Sequence, residues 1–210
     1  PLSGYSVDLD DDTGTGYVIG GAFEIPDIAL RVALTYFSKV EHKFDTVENI
    51  APVSPSTVVD TPQAVNLDFQ TGVAKDTLVF GSVRWAEWSD FIVSPAAFNA
   101  ATGGASLTNL RDTTTYTLGL GQKLSSQWSG FVSVSYDRSK HTNAPSALRP
   151  SNGRVGYALG VSYQDPRFKL TPWISYQRLG AADISLVNYP IASFRQSSAM
   201  VFGVKLDYTF

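Results

Sequence analysis

Arg84 shares even spacing with Phe80 and Trp88, so an extended backbone would place a guanidinium and two large aromatic rings on one face. A guanidinium can clamp a carboxylate through two parallel hydrogen bonds. The neighbouring rings suit an apolar body, so this trio has the chemistry to hold an amphipathic anion. The competing role for Arg84 is an ion pair with a carboxylate such as Asp68 or Asp90. The histidines offer less. The chain has two, His42 and His141, without the paired spacing of a metal site. Ser139 and His141 share one parity, but nucleophilic catalysis also needs an orienting third group. A rim histidine in a solvated network is the plainer role. With no cysteine there is no thiolate nucleophile, Cys-based metal site or disulfide framework. No enzymatic activity, cofactor or metal is expected.

Composition narrows the setting. The 210 residues are 43% hydrophobic, 12% aromatic and 17% charged, with a formal net charge of −3. That aromatic content and low charge do not describe a disordered segment. Scattered Lys and Arg give no basic face for a nucleic-acid backbone. A membrane helix needs roughly 20 consecutive apolar residues, yet apolar runs such as Tyr17 to Phe23 stop far short of that. Pro1–Leu2 opens no signal peptide, so the chain is expected to be a mature product or a piece of something longer.

What must position the candidate side chains is a set of strands. Apolar residues alternate with polar or small ones in segment after segment, which is the strand period. Met200, Phe202, Val204, Leu206, Tyr208 and Phe210 form one face of the last such segment. Nine strands are expected, at about 15–25, 29–44, 63–74, 77–92, 112–124, 127–140, 153–164, 167–180 and 195–210. Tight turns at Pro26-Asp27, Lys75-Asp76, Ser125-Ser126 and Asp165-Pro166 alternate with long connections at 45–62, 93–111, 141–152 and 181–194. A soluble sandwich has no reason to go short, long, short, long. An outer-membrane meander does, with short periplasmic turns and long extracellular loops. The expected fold is an all-β, transmembrane antiparallel up-and-down barrel in the bacterial outer membrane.

The two faces sort by solvent. The parity assigned to lipid includes Ile19, Val32, Leu34, Leu67, Leu118, Val132, Leu159 and Ile174, with Tyr and Trp near strand ends. The opposite parity collects Glu24, Arg31, Lys39, Glu41, Lys43, Asp68, Arg84, Asp90, Asp137, Arg154, Lys169, Lys205 and Asp207. Glu87 and Arg178 share the lipid parity but fall near the outer rim, where a charge costs little. The inner parity also holds Val18, Phe37, Phe80, Trp88, Phe131, Trp173 and Val201. Such a mixture suggests either a pocket for an amphipathic ligand or plain filling of a narrow barrel. Apolar loop residues, among them Val53, Val58, Val59, Phe98 and Leu107, would form a capture groove or simply pack the loops. Strand glycines such as Gly119, Gly121, Gly156 and Gly160 would give room for curvature or a neighbouring side chain.

Several runs resemble the FadL family of outer-membrane transporters for long-chain fatty acids and other hydrophobic compounds. They are Ala33-Leu34-Thr35-Tyr36-Phe37-Ser38-Lys39-Val40, Trp88-Ser89-Asp90-Phe91, Leu159-Gly160-Val161-Ser162-Tyr163 and the terminal Tyr208-Thr209-Phe210. The resemblance implies a monomeric fourteen-stranded barrel plugged by an N-terminal hatch. Ligand would be caught at an extracellular groove, pass to a lumenal site and leave sideways through a kinked early strand. It also implies that residues 1–210 are the C-terminal part of one barrel domain, its last nine strands. The hatch and about five strands would be absent from this chain and present as another chain. Arg111 lies close to where the family carries a cation near its high-affinity pocket, so Arg111 joins Arg84, Phe80, Trp88, Phe131 and Trp173 as ligand-binding candidates. For Arg111 too, an ion pair with an inner carboxylate is the alternative. The expected function is passive transport of hydrophobic molecules, long-chain fatty acids first, with no nucleic-acid partner. A carrier of aromatic hydrocarbons and a general porin or structural barrel are the alternatives.

Overall fold

The computed structural model describes residues 3–138, 148–149, 151–186 and 189–209. Nine antiparallel strands form one sheet in which each strand lies beside its predecessor. They are β1 (Val18–Ile25), β2 (Leu30–Phe37), β3 (Ala64–Ala74), β4 (Thr77–Ala86), β5 (Thr113–Lys123), β6 (Trp128–Asp137), β7 (Arg154–Gln164), β8 (Phe168–Leu179) and β9 (Ser198–Tyr208). β1 and β9 are the sheet's edges. All four expected tight turns are present. Ala29 and Asp76 take positive φ at two of them, while at a third Asp165 N donates to Phe168 O at 2.8 Å. No helix among the described residues is long and apolar enough to cross a membrane.

The strands are shorter than the alternation alone suggests, and what lies beyond them is a separate layer built from the long connections. The expected 29–44 strand stops at Phe37, where Ser38 closes the β1–β2 ladder: its Oγ accepts from Tyr17 N at 2.8 Å. The chain then makes its own hairpin, Val40–Phe44 against Thr57–Thr61. The 77–92 strand likewise stops at Ala86, followed by a 3-10 turn, Trp88–Asp90. Lys39, Glu41, Lys43 and Asp90 therefore belong to the loop layer and not to the barrel wall. The connections carry further structure: α1 (Ala96–Thr102) and a hairpin of Ala182–Leu186 with Tyr189–Phe194.

Within the wall the solvent partition holds. Leu34, Leu118, Val132, Leu159, Phe202 and Val204 stand exposed on one face. Glu24, Arg31, Asp68, Arg84, Lys123, Asp137, Arg154, Lys169, Lys205 and Asp207 occupy the alternate positions. Some of these charges pair within the inner face, Arg31 with Glu24 and Lys205 with Asp207, both at 2.9 Å. Aromatic rings mark both borders of the apolar band. Trp128, Tyr163 and Phe168 adjoin at the turn end, with centroids 5.0 and 5.8 Å apart. Tyr116 faces Tyr136 and Tyr157 faces Tyr176 in register at the loop end. From Trp128 to Tyr136 the strand rises about 27 Å, which a tilt of 35–45° reduces to about 20 Å along the membrane normal. That suits an apolar band about 25 Å tall once ring heights are added. At the loop-end rim, Tyr36 donates its hydroxyl to Gln63 at 2.7 Å, and Gln63 in turn donates to Glu87.

Val132 lies midway between the two girdles and is 59% exposed. Val132→Arg should therefore cost about 2–4 kcal/mol, and Thr117→Arg on the inner face should cost far less. Urea unfolding of the vesicle-embedded barrel measures both, and equal losses would contradict the assignment of faces.

Candidate functional site

The inner wall has two zones. Toward the turns, each large ring lies over a glycine of an adjacent strand. Phe80 is the register partner of Gly119, Phe131 of Gly160, and Trp173 of both Gly160 and Gly203. A Cβ on Gly119 would strike the Phe80 ring, one on Gly160 the Phe131 ring and Trp173 Cβ, and one on Gly203 the Trp173 indole. The missing side chains let the rings lie down against the wall. Phe80 and Phe131 then meet edge-on, with centroids 6.2 Å apart at 73°, an arrangement the ring quadrupoles favour. An open concavity of about 890 Å³ runs from these two rings to the turns near Ile28 and Val73, with Lys169 on its border.

Toward the loops the wall turns polar. In register order across β3 to β7, Asn66, Arg84, Thr115, Asp137 and Arg154 form one row. Arg84 Nη1 donates to Asn66 Oδ1 at 2.6 Å, and its guanidinium carbon lies 5.4 Å from the Phe37 ring centroid. Both partners are uncharged. The ion pair with Asp68 or Asp90 is not formed: Asp68 lies opposite Ser82, one inner position further down, and Asp90 sits in the 3-10 turn. Arg84 thus stands on an exposed part of the inner face with no carboxylate partner among the described residues and a π cloud beside it.

Arg111 is exposed two residues before β5 and pairs with no carboxylate among the described residues. It precedes Thr115, the β5 partner of Arg84, by four residues, roughly 14 Å of extended chain, so one carboxylate cannot bridge the two cations. Asp112 Oδ1 accepts from Ser89 N and Oγ at 3.1 and 2.7 Å, which ties the base of Arg111 to the turn carrying Trp88. The Trp88 ring packs edge-on to Phe91 at 6.2 Å. Structure therefore groups the candidates in two sets, Arg84 with the Phe80–Phe131–Trp173 wall below it, and Arg111 with Trp88 at the mouth. His42 contacts Asp12 at 3.3 Å and stacks on Phe44. Ser139 and His141 lie outside the described residues.

A buried carboxylate organises the loop layer. Glu48, 1% exposed, accepts from Ala97 N at 2.8 Å and Phe98 N at 2.7 Å, the free amides in the first turn of α1. It also accepts from Tyr5 Oη at 2.9 Å. Three segments far apart in sequence meet at one side chain. Burial acts to raise its pKa, but the bonds from Ala97, Phe98, Tyr5 and Ser54 prevail and hold it below 4.5. Burial, then the bond to Glu48, pushes the Tyr5 phenol up to about 12. Phe98 and Val59 are loop core, at 1% and 4% exposure, whereas Val53 and Val58 stay exposed at 82% and 51%. The loops' apolar residues thus divide between packing and free surface.

Two expectations follow. Gly160→Ala must lift Phe131 or Trp173 off the wall, at about 1–3 kcal/mol, measured by thermal unfolding in detergent; an unchanged midpoint would refute the contact. Because the folded pKa of Glu48 is depressed, its stabilisation is complete above the ordinary carboxylate value and lost as pH falls through the folded one. Native protein should accordingly resist proteolysis in the 87–112 region at neutral pH and lose that resistance in acid. Glu48→Gln should be cleaved there at neutral pH, and its Tyr5, followed by ¹³Cζ-tyrosine NMR, should titrate closer to 10.

The whole chain has recognisable relatives. Structural comparison places it beside a Pseudomonas aeruginosa FadL homologue, with 19% identity and TM-score 0.67, covering 92% of this chain and 52% of that one. It is also similar to the CymD monoaromatic hydrocarbon channel, with 15% identity, TM-score 0.58, and 96% and 55% coverage. The Pseudomonas putida toluene transporter TodX gives 15% identity, TM-score 0.54, and 93% and 48% coverage. The chain thus spans about half the length of these structures. A search of curated proteins finds no match. Residues 2–210 match the model of the outer membrane protein transport proteins. With nine membrane-length strands and a charge-sorted wall already in place, that match establishes that the chain belongs to the OMPP1/FadL/TodX family of outer-membrane transport proteins.

Proposed function

We propose that this chain supplies wall and extracellular cap to a passive transporter whose cargo is a long-chain fatty acid. The observation that carries the reading is Arg84: an inner-face guanidinium whose partners among the described residues are neutral, set two to three inner positions above an aromatic wall. A carboxylate head would replace water around Arg84 with two charge-assisted hydrogen bonds. The alkyl tail would lie along Phe80, Phe131 and Trp173, whose flattened rings offer apolar area without projecting across the passage. Arg111 and Trp88 at the mouth would meet the ligand earlier. Movement by this route is diffusive, because each step exchanges one weak contact for another.

The edges bear on domain organisation. Backbone groups along β1 and β9 need partners in hydrocarbon. We place residues 1–210 as the C-terminal part of a single monomeric barrel, its remaining strands and hatch coming from the rest of the protein. A second reading, transport of aromatic hydrocarbons, draws on the same ring-lined wall and would leave Arg84 without a ligand. A general porin needs an open polar lumen, and those rings weigh against it.

Replacing Arg84 or Arg111 with Ala should weaken palmitate binding about tenfold while leaving hexadecane unaffected, as expected for loss of a hydrogen-bonded charge. Calorimetry on the detergent-solubilised barrel makes the comparison. Unchanged palmitate affinity in both variants would remove them as headgroup ligands, and toluene bound more tightly than palmitate by the native protein would favour the hydrocarbon reading.

A further inference from the structure

We infer that Arg154, with Arg149, forms a second carboxylate-binding station on the inner wall, separate from Arg84 and regulated by the buried Asp137. The inference rests on the fatty-acid reading and adds a place to it. Asp137, 4% exposed, is held by Arg149 Nη2 at 2.6 Å, while Arg154 Nε lies 3.7 Å away. The longer separation is no hydrogen bond. Arg154 Nη1 donates to Gln177 at 3.3 Å, but its Nε is buried without a hydrogen-bond partner. A guanidinium has five N–H donors, and among the described residues the one hydrogen bond that those on Arg154 make is to Gln177, on an inner-facing position. Two cations also share one carboxylate, leaving an excess positive charge.

The site lies in the same register row as Arg84, with Thr115 and Asp137 between. Three strand spacings separate the two cations, about 14 Å. That is too far for a single carboxylate and suits two successive resting places for one head group. Asp137 is then a built-in competitor. It already satisfies part of the positive charge that an incoming carboxylate would engage, so it lowers affinity there and keeps the stop brief.

The competition gives opposite signs for two neighbouring substitutions, which a purely structural ion pair would not. With the full barrel in detergent, oleate and oleyl alcohol share a tail and differ in the charge of the head. Arg154→Gln should weaken oleate binding about tenfold. Asp137→Asn should strengthen it severalfold, with the gain shrinking as salt rises. Oleyl alcohol should respond to neither. Arg154→Lys, which keeps the charge, should retain most of the oleate affinity, and heat-modifiable gel migration confirms folding of each variant. If Asp137→Asn weakens oleate as Arg154→Gln does, or if both variants shift the alcohol equally, the cluster is a strut and the second station is refuted. A selective effect of Arg84→Ala together with silence at Arg154 and Asp137 would sink only this station. Equal affinity of the native protein for oleate and oleyl alcohol would sink the fatty-acid reading itself.

Discussion

Hydrocarbon cannot hydrogen-bond to a peptide group, and from that constraint most of this structure follows. A sheet that crosses a bilayer must pair its backbone strand to strand. Its alternate side chains then meet two media. Outside, a charge at mid-depth costs about 2–4 kcal/mol; inside, it has polar neighbours. The ten charged wall residues from Glu24 to Asp207 on the inner parity, against Arg178 alone on the outer parity within the described strands, are the result of that difference. The charges are therefore available for function only on the inside. The resulting chemistry is a row of arginines, carboxylates and amides over a zone of aromatic rings.

Glycine makes the second zone possible. A ring that stood up from the wall would fill the passage, and one that lay down over an ordinary residue would collide with its Cβ. Opposite Phe80, Phe131 and Trp173 the adjacent strand carries glycine, which resolves the conflict. Glycine weakens a strand in water, where it brings entropy cost and no packing. Here the cross-strand ring covers the exposed backbone and returns apolar contact to the site.

Strand number, turns and facing could be read from alternation because the bilayer imposes a period of two along each crossing. Alternation does not stop where the membrane does, however. His42 and Phe44 continue the parity of Tyr36, so the break at Ser38 was hidden; only the Tyr17–Ser38 closure and the hairpin with Thr57–Thr61 end the wall strand. Arg84 and its rings were legible from their shared parity. Phe37 was legible as an inner-parity ring, but its place and that of Asn66 beside Arg84 were not, since knowing which neighbour is opposite requires the register. Glu48 was invisible for a stronger reason. Tyr5, Ala97 and Phe98 lie 43 to 50 residues from it in sequence, and a lone glutamate in a loop is ordinarily a solvated surface charge. Arg149 and Asp137 converge on each other across the 139–147 connection, which carries no periodic signal.

A proline interrupts pairing inside the wall, and the break clarifies how strict the constraint is. Pro172 lies within β8, and the register of β7 on β8 skips Val161 and Ser162, resuming at Tyr163 with Leu170. Proline has no N–H to give the ladder, so this seam is weaker than its neighbours. The other side of β8 pairs with β9 without a break through Pro172 and Val204. On the inner face the Ser162 and Thr171 hydroxyls lie 2.7 Å apart at the skipped positions, restoring a link across the seam from side chains. Tolerance for the proline thus depends on which face the substitute bond occupies. A hydroxyl pair can serve on the polar side of the wall, whereas on the lipid side the same groups would add a desolvation cost to the one they relieved.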